Sequence, residues 1–100
     1  MIRHIVLWKF LDKAEEADKT ANLRKARMML MGLKEKIPEI KSFEVGIVQQ
    51  ITDQSYDLAL DSTFESIKSL EAYQRHPAHL QVAHFLRKVQ ASKAVADFET

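Results

Sequence analysis

Hydrophobic and polar positions divide this chain into short alternating segments and longer segments with helical spacing. Residues 1–10 are rich in β-branched and aromatic side chains, which favour a β-strand. Alternation along that strand places His4 and Trp8 on one face, and Ile5 and Leu7 on the other. Because both faces carry apolar residues in mid-strand, we expect both to be covered.

A long amphipathic helix is predicted next. Asp12, with Glu15 three residues later, is typical of a capping box, so the helix should begin near Lys13. Pro38 should end it. Gly32 lies inside this segment, and a close approach of the helix to the sheet would explain it. The apolar stripe consists of Leu23, Ala26, Leu30, Leu33 and Ile37, widened by Met28, Met29 and Met31.

Three further alternating segments predict three more strands. Residues 40–51 and 56–64 are separated by a short polar turn, so they should form an antiparallel hairpin. Gly46 in the first of them indicates a bulge or a close approach of another backbone. Residues 92–98 alternate again and predict the final strand.

A single proline separates two amphipathic helices, the first of them short, between the third and fourth strands. Pro77 disfavours helix at the residue before it and suits the first turn of a following helix. The second helix should then continue to about Gln90. The resulting corner gathers Tyr73, His76 and His79.

The element order is β-α-β-β-α-β, which is the ferredoxin-like pattern of the α+β class with a four-stranded antiparallel sheet. We expect one domain spanning residues 1–100. Its helices would cover only one face of the sheet, and the other face, with Ile5 and Leu7, would stand open in a monomer. Two sheets pairing face to face would cover both, so the pattern predicts a homodimer.

Composition narrows the function classes. Hydrophobic residues at 46% and charged residues at 29% are ordinary for a soluble domain, and the net charge of +1 provides no field to attract nucleic acid or an anionic membrane. The absence of cysteine excludes disulfides, thiolate metal sites and a cysteine nucleophile. No signal-like leader begins the sequence and no apolar run approaches the ~18 residues of a membrane span, so we expect a cytoplasmic protein.

The four histidines are predicted to differ in environment. His79 lies at the edge of the apolar stripe of the last helix and should be partly buried, whereas His84 lies nearly opposite and should be exposed. His76, immediately before Pro77, is placed to cap the helix that follows. His4 could approach the corner if its face of the first strand looks toward the helices.

An imidazole beside a phenol can act as an acid–base pair, because histidine titrates near neutrality and a phenol can stabilise a developing oxyanion. We therefore name His79 and Tyr73 as candidate catalytic residues. The structural alternative is that the Tyr73 ring only packs and His79 only forms a hydrogen bond.

Other kinds of site are less well supported. His76 and His79, with Glu71 and Asp61 as carboxylates, give a weak metal-binding alternative. The sequence has no phosphate-binding glycine loop, no nucleophile elbow and no Ser/His/Asp set. The strands also lack the paired exposed aromatics of an RNA-binding sheet. We therefore expect neither a cofactor site nor a metal site.

Several motifs, in order and spacing, resemble the stress-responsive A/B barrel (Dabb) domain family of the dimeric α/β-barrel superfamily. The resemblance covers essentially the whole chain and is strongest in the third strand and the proline corner. The matching segments are residues 2–10, 37–38, 43–46, 56–60, 64–66, 72–79 and 95–98.

The resemblance implies a ferredoxin-like protomer and a homodimer whose two sheets form a barrel. The family includes plant polyketide cyclases, which use a Tyr-x-x-His-Pro-x-His motif for an aldol cyclisation. Carried over to this chain, the resemblance makes His79 the base and Tyr73 the residue that positions the carbonyl, with His4 near the cavity. One departure is Leu58, which stands where the cyclases have a histidine.

Two functions of different classes follow. The first is a stress-related barrel protein that binds a small apolar ligand without reaction. The alternative is a cofactor-independent cyclase, lyase or isomerase acting on a carbonyl compound through His79, Tyr73 and His4. A third hypothesis comes from the wider superfamily, which includes haem- and flavin-dependent monooxygenases; a coloured purified protein would support it.

Overall fold

A computed structural model describes the whole chain, residues 1–100. The strands are β1 (Ile2–Phe10), β2 (Lys13–Ala14), β3 (Ala17–Asp18), β4 (Ile40–Ile47), β5 (Leu58–Phe64) and β6 (Gln90–Glu99), and the helices are α1 (Lys19–Met31), α2 (Leu33–Lys36), α3 (Ile67–Arg75) and α4 (Pro77–Val89). Four strands form one sheet in the order β4-β5-β1-β6, and every neighbouring pair is antiparallel. The predicted ferredoxin-like α+β fold is confirmed.

Strand β1 lies inside the sheet, between β5 and β6, and the two faces of this strand are buried to different extents. Val6 lies opposite Leu60 on one side and Val95 on the other. Every second residue of β1 is buried beneath the helices, whereas Ile5 and Leu7 are only half-buried on the open face. The predicted alternation therefore holds, and one face of the sheet lacks cover within the protomer.

The corner between α3 and α4 has the predicted form. Helix α3 ends at Arg75, His76 adopts an extended backbone, and α4 begins at Pro77. The imidazole Nδ1 of His76 accepts a hydrogen bond of 3.0 Å from the amide of Ala78, which confirms its predicted role as the N-cap. Ala78 and His79, in the first turn of α4, are half-buried.

The predicted helix start near Lys13 is wrong. Residues 13–18 form a small hairpin, β2–β3, whose two-residue turn consists of Glu15 and Glu16 at φ 51° and 61°. Such turns favour glycine and asparagine, so two glutamates gave no signal for one. Asp18, rather than Asp12, caps α1 by accepting from a backbone amide of its first turn.

The two glycines do not have the predicted roles. Gly32 is exposed and closes α1, so it permits no close approach to the sheet. A side chain at Gly46 would meet nothing within 4 Å, and the irregularity in β4 lies between Ile40 and Ser42 instead. The bulge was therefore assigned to the wrong residue.

The packed face of α1 is narrower than its apolar sequence indicates. Met28 and Met31 are exposed, so they do not widen the buried stripe. The residues of α1 that are buried are Asn22, Leu23, Ala26 and Leu30. None of the helices has the length and apolar character that a membrane span requires.

Candidate active site

A cavity of about 250 Å³ lies between the sheet and α4. Nine of its fifteen lining residues are hydrophobic, and the lining comes from β1, β5, β6, α1, α3 and α4. The three residues singled out in the sequence, His4, Tyr73 and His79, all line this one cavity. The fold therefore brings them together from β1, α3 and α4, while their chemical roles stay a prediction.

Tyr73 forms the centre of the polar end of the cavity. Its side chain is almost completely buried, with its ring centroid 4.9 Å from that of Phe64 and 4.6 Å from that of His79. Burial raises the pKa of the Tyr73 phenol well above its usual range, so the hydroxyl keeps its proton. Because this hydroxyl has no hydrogen-bond partner in the chain, it can donate to a bound ligand.

His79 lies in the first turn of α4 and is half-buried. Its Nδ1 donates a hydrogen bond of 3.1 Å to the backbone carbonyl of Gln74, so in the neutral ring Nε2 carries the lone pair. Burial lowers the pKa of His79, the Gln74 carbonyl partly opposes this, and the positive charges of Lys93, His4 and Arg87 lower it further. His79 is therefore a neutral imidazole near pH 7, in the form that a base requires.

His4 is held by a partner that the sequence did not reveal. Its Nδ1 donates to the carboxylate of Asp97, which lies directly across the strand pair in β6. That contact fixes the ring orientation and leaves Nε2 without a partner in the chain. The His4 ring packs edge-to-face on Tyr73 at a centroid separation of 6.2 Å. Asp97 could have been found only by knowing the register between β1 and β6.

Trp8 is the second residue that sequence reasoning overlooked. Its side chain lines the cavity, and its indole Nε1 is buried without a hydrogen-bond partner. Leaving a buried donor unpaired costs about 1–3 kcal/mol. Among the residues of the site, Trp8 and Tyr73 thus both carry donor groups that the chain itself does not satisfy.

The residues of the metal-binding alternative do not form a cluster. Asp61 lies on the open face of the sheet, where it accepts a hydrogen bond of 2.7 Å from Arg3. His76 uses its ring to cap α4. No three histidine or acidic side chains are arranged to hold a metal ion. His84 is exposed, as predicted.

The lowered pKa of His79 has a consequence for stability. Unfolding frees the ring from burial, so the unfolded chain binds the proton more readily than the folded chain. The free energy of unfolding should therefore decrease as the pH falls through the ordinary histidine value of 6.5. Urea titrations at about pH 7 and about pH 5 should show a smaller decrease for His79→Gln than for the wild type, and an unchanged one for the exposed control His84→Gln. Equal decreases in all three proteins would contradict the lowered pKa.

Comparison with known proteins places the chain in a family. The model of the stress-responsive A/B barrel domain matches residues 2–100. The chain belongs to the Dabb family. Among characterised proteins, this Dabb domain is similar to olivetolic acid cyclase of Cannabis sativa, with 26% identity over 99 residues that cover 97% of this chain and 94% of the cyclase.

Solved structures agree with the fold of this Dabb domain. A dimeric ferredoxin-like protein of unknown function from Bacteroides fragilis is 27% identical, with a TM-score of 0.86 over 99% of this chain and 95% of that one. A hydroxynitrile lyase from Passiflora edulis is 18% identical, with a TM-score of 0.80 over 97% and 90% of the two chains. At that identity the lyase supports the fold alone.

Proposed function

We propose that this Dabb domain is a cofactor-independent enzyme that moves a proton on a carbonyl compound bound in the cavity. The observation that carries the proposal is the convergence of a neutral imidazole, a protonated phenol and a carboxylate-held histidine on one largely apolar cavity. The similarity to olivetolic acid cyclase supports the same class of chemistry.

The geometry suggests how the proton moves. His79 Nε2 accepts the proton from the carbon next to the carbonyl, while Nδ1–H stays on the Gln74 carbonyl. The electron pair of the broken C–H bond moves onto the carbonyl oxygen, which becomes an enolate. Tyr73 O–H donates to that oxygen as its charge develops. The enolate then attacks a second carbonyl in a cyclisation, or takes a proton back at carbon in an isomerisation.

His4 completes the polar end of the cavity. Asp97 holds its Nδ1–H, so Nε2 can accept a hydrogen bond from the substrate, or take up a proton from a substrate hydroxyl and later give that proton back. The apolar walls exclude water, which would otherwise compete for the same hydrogen bonds and screen the developing charge.

Proton exchange tests the proposal without knowledge of the natural substrate. Benzylacetone, a ketone of suitable size, is incubated with the protein in D₂O at neutral pH, and proton NMR follows the loss of the signals next to the carbonyl. The proposal predicts exchange faster than in buffer alone. Exchange no faster than buffer with benzylacetone and a panel of related ketones would overturn it.

Binding without reaction is the second candidate function. The mainly hydrophobic lining of the cavity favours it, because a small apolar ligand could be held there with no use of His79. Quenching of the Trp8 fluorescence by benzylacetone with no exchange above buffer would favour this candidate over the enzyme.

We also propose that the protein forms a homodimer through the open faces of its sheets. Ile5 and Leu7 lie on this face beside Ala94, Ala96 and the half-exposed Phe98. An apolar face of this kind is typical of a partner surface. The similar protein from Bacteroides fragilis is described as dimeric, which supports the proposal.

A single charge should separate the two protomers. Leu7→Glu places a carboxylate in the middle of the open face, and burying it unpaired costs several kcal/mol, roughly enough to abolish association. Light scattering after size exclusion should give a dimer mass for the wild type and a monomer mass for the variant. Lys34→Glu, on the exposed side of α2, is the control and should stay dimeric. A dimeric Leu7→Glu variant or a monomeric wild type would contradict the proposal.

A further inference from the structure

The formal charges on the side chains around the cavity are of one sign. The fifteen lining residues include no aspartate or glutamate, whereas they include Arg87 and Lys93. The Tyr73 phenol, which keeps its proton, adds a neutral hydrogen-bond donor to the same lining. A ligand with a negative charge therefore complements this lining better than a neutral one.

Arg87 and Lys93 lie where the cavity opens to solvent, because both line it and both are exposed. Neither forms an ion pair in the chain. The neighbouring Lys88, by contrast, lies 3.6 Å from a carboxylate oxygen of Glu15. Asp97, four residues beyond Lys93 in β6, is engaged by His4. The opening of the cavity, called its mouth below, therefore carries two positively charged side chains, Arg87 and Lys93, that form no ion pair within the protomer.

The mouth and the acid–base residues are separated by a distance that one small molecule can bridge. Arg87 follows His79 by eight residues of α4, a rise of about 12 Å. Across the sheet, Lys93 pairs with Trp8, four residues or about 13 Å beyond His4. The long side chains of Arg87 and Lys93 shorten this gap, and both charges act on His79. A cavity of about 150 Å³ holds benzene, so about 250 Å³ suits a ligand of about ten heavy atoms.

We propose that the substrate is a carboxylate-bearing carbonyl compound. Arg87 and Lys93 bind its carboxylate at the cavity mouth and its carbonyl reaches Tyr73 and His79. The inference rests on the proposed function for the reacting carbonyl, whereas the preference for an anion rests on the charge of the cavity alone. Arg87 can hold a carboxylate with two parallel hydrogen bonds, and Lys93 adds a point charge.

Two matched ligands that do not react in the cavity test the preference for a negative charge. Hydrocinnamate and its neutral amide have the same number of heavy atoms and differ only in the charged group. Trp8 is the single tryptophan of the chain and lines the cavity, so its fluorescence reports binding, and calorimetry gives the affinity independently. We expect the acid to bind at least about tenfold more tightly than the amide.

Variants test whether Arg87 and Lys93 cause the preference for a negatively charged ligand. The double variant Arg87→Gln/Lys93→Gln should bind the two ligands about equally. Lys88→Gln removes a charge from the same helix outside the cavity and should keep the wild-type ratio. Thermal unfolding checks that each variant is folded. Equal affinities in the wild type, no binding of hydrocinnamate, or an unchanged ratio in the double variant would overturn the proposal. Because neither ligand reacts, this result is independent of whether benzylacetone exchanges.

Discussion

Replacing Tyr73 with phenylalanine is expected to slow proton exchange about 10²–10³-fold, the usual loss when one donor to a developing oxyanion is removed. The structural reason is that the phenol keeps its proton and its hydroxyl has no partner in the chain. It is therefore available to the carbonyl oxygen as the enolate forms. The measurement is the rate of deuterium incorporation into benzylacetone under saturating ligand.

The same substitution should leave the fold intact. The ring contacts of Tyr73 with Phe64 and His79 persist in phenylalanine, and no buried group loses a hydrogen bond. The free energy of unfolding should stay within about 0.5 kcal/mol of the wild type. Tyr56→Phe is the control, because Tyr56 lies outside the cavity beneath the Lys9 ammonium. Wild-type exchange in Tyr73→Phe, or a clear loss of stability, would show that Tyr73 is structural.

The parts of the molecule that sequence reasoning predicted are those set by local pattern. Alternation along β1 placed His4 beneath the helices, because side chains in a strand must point to opposite faces. Helical spacing separated the half-buried His79 from the exposed His84. The proline at position 77 located the corner, since it cannot continue the preceding helix and suits the start of the next.

The parts that were missed depend on contacts between distant segments. Asp97 meets His4 only because of the register between β1 and β6, and alternation does not specify a register. The unpaired indole of Trp8 is a property of the packed cavity rather than of the strand. The hairpin at Glu15 and Glu16 was missed for a different reason, since its turn uses residues that rarely adopt positive φ.

The candidate site depends both on local sequence pattern and on contacts between distant segments. The corner motif brought Tyr73 and His79 together by local rules, and the sheet then added His4 with its Asp97 partner. Burial between the sheet and the helices raises the pKa of the Tyr73 phenol and lowers the pKa of the His79 imidazole. On an exposed surface the same two side chains would stay hydrated, and this cause of their pKa shifts would be absent.

Two histidine variants in the exchange assay test the proposed role of His79 most directly. His79→Gln keeps a side-chain donor that can reach the Gln74 carbonyl but removes the proposed base, whereas His84→Gln removes an exposed imidazole from the same helix. We expect His79→Gln to lower the rate of deuterium incorporation into benzylacetone about 10²–10⁴-fold with little change in melting temperature, and His84→Gln to keep the wild-type rate. Equal rates in both variants would contradict the assignment of His79 as the base of this site.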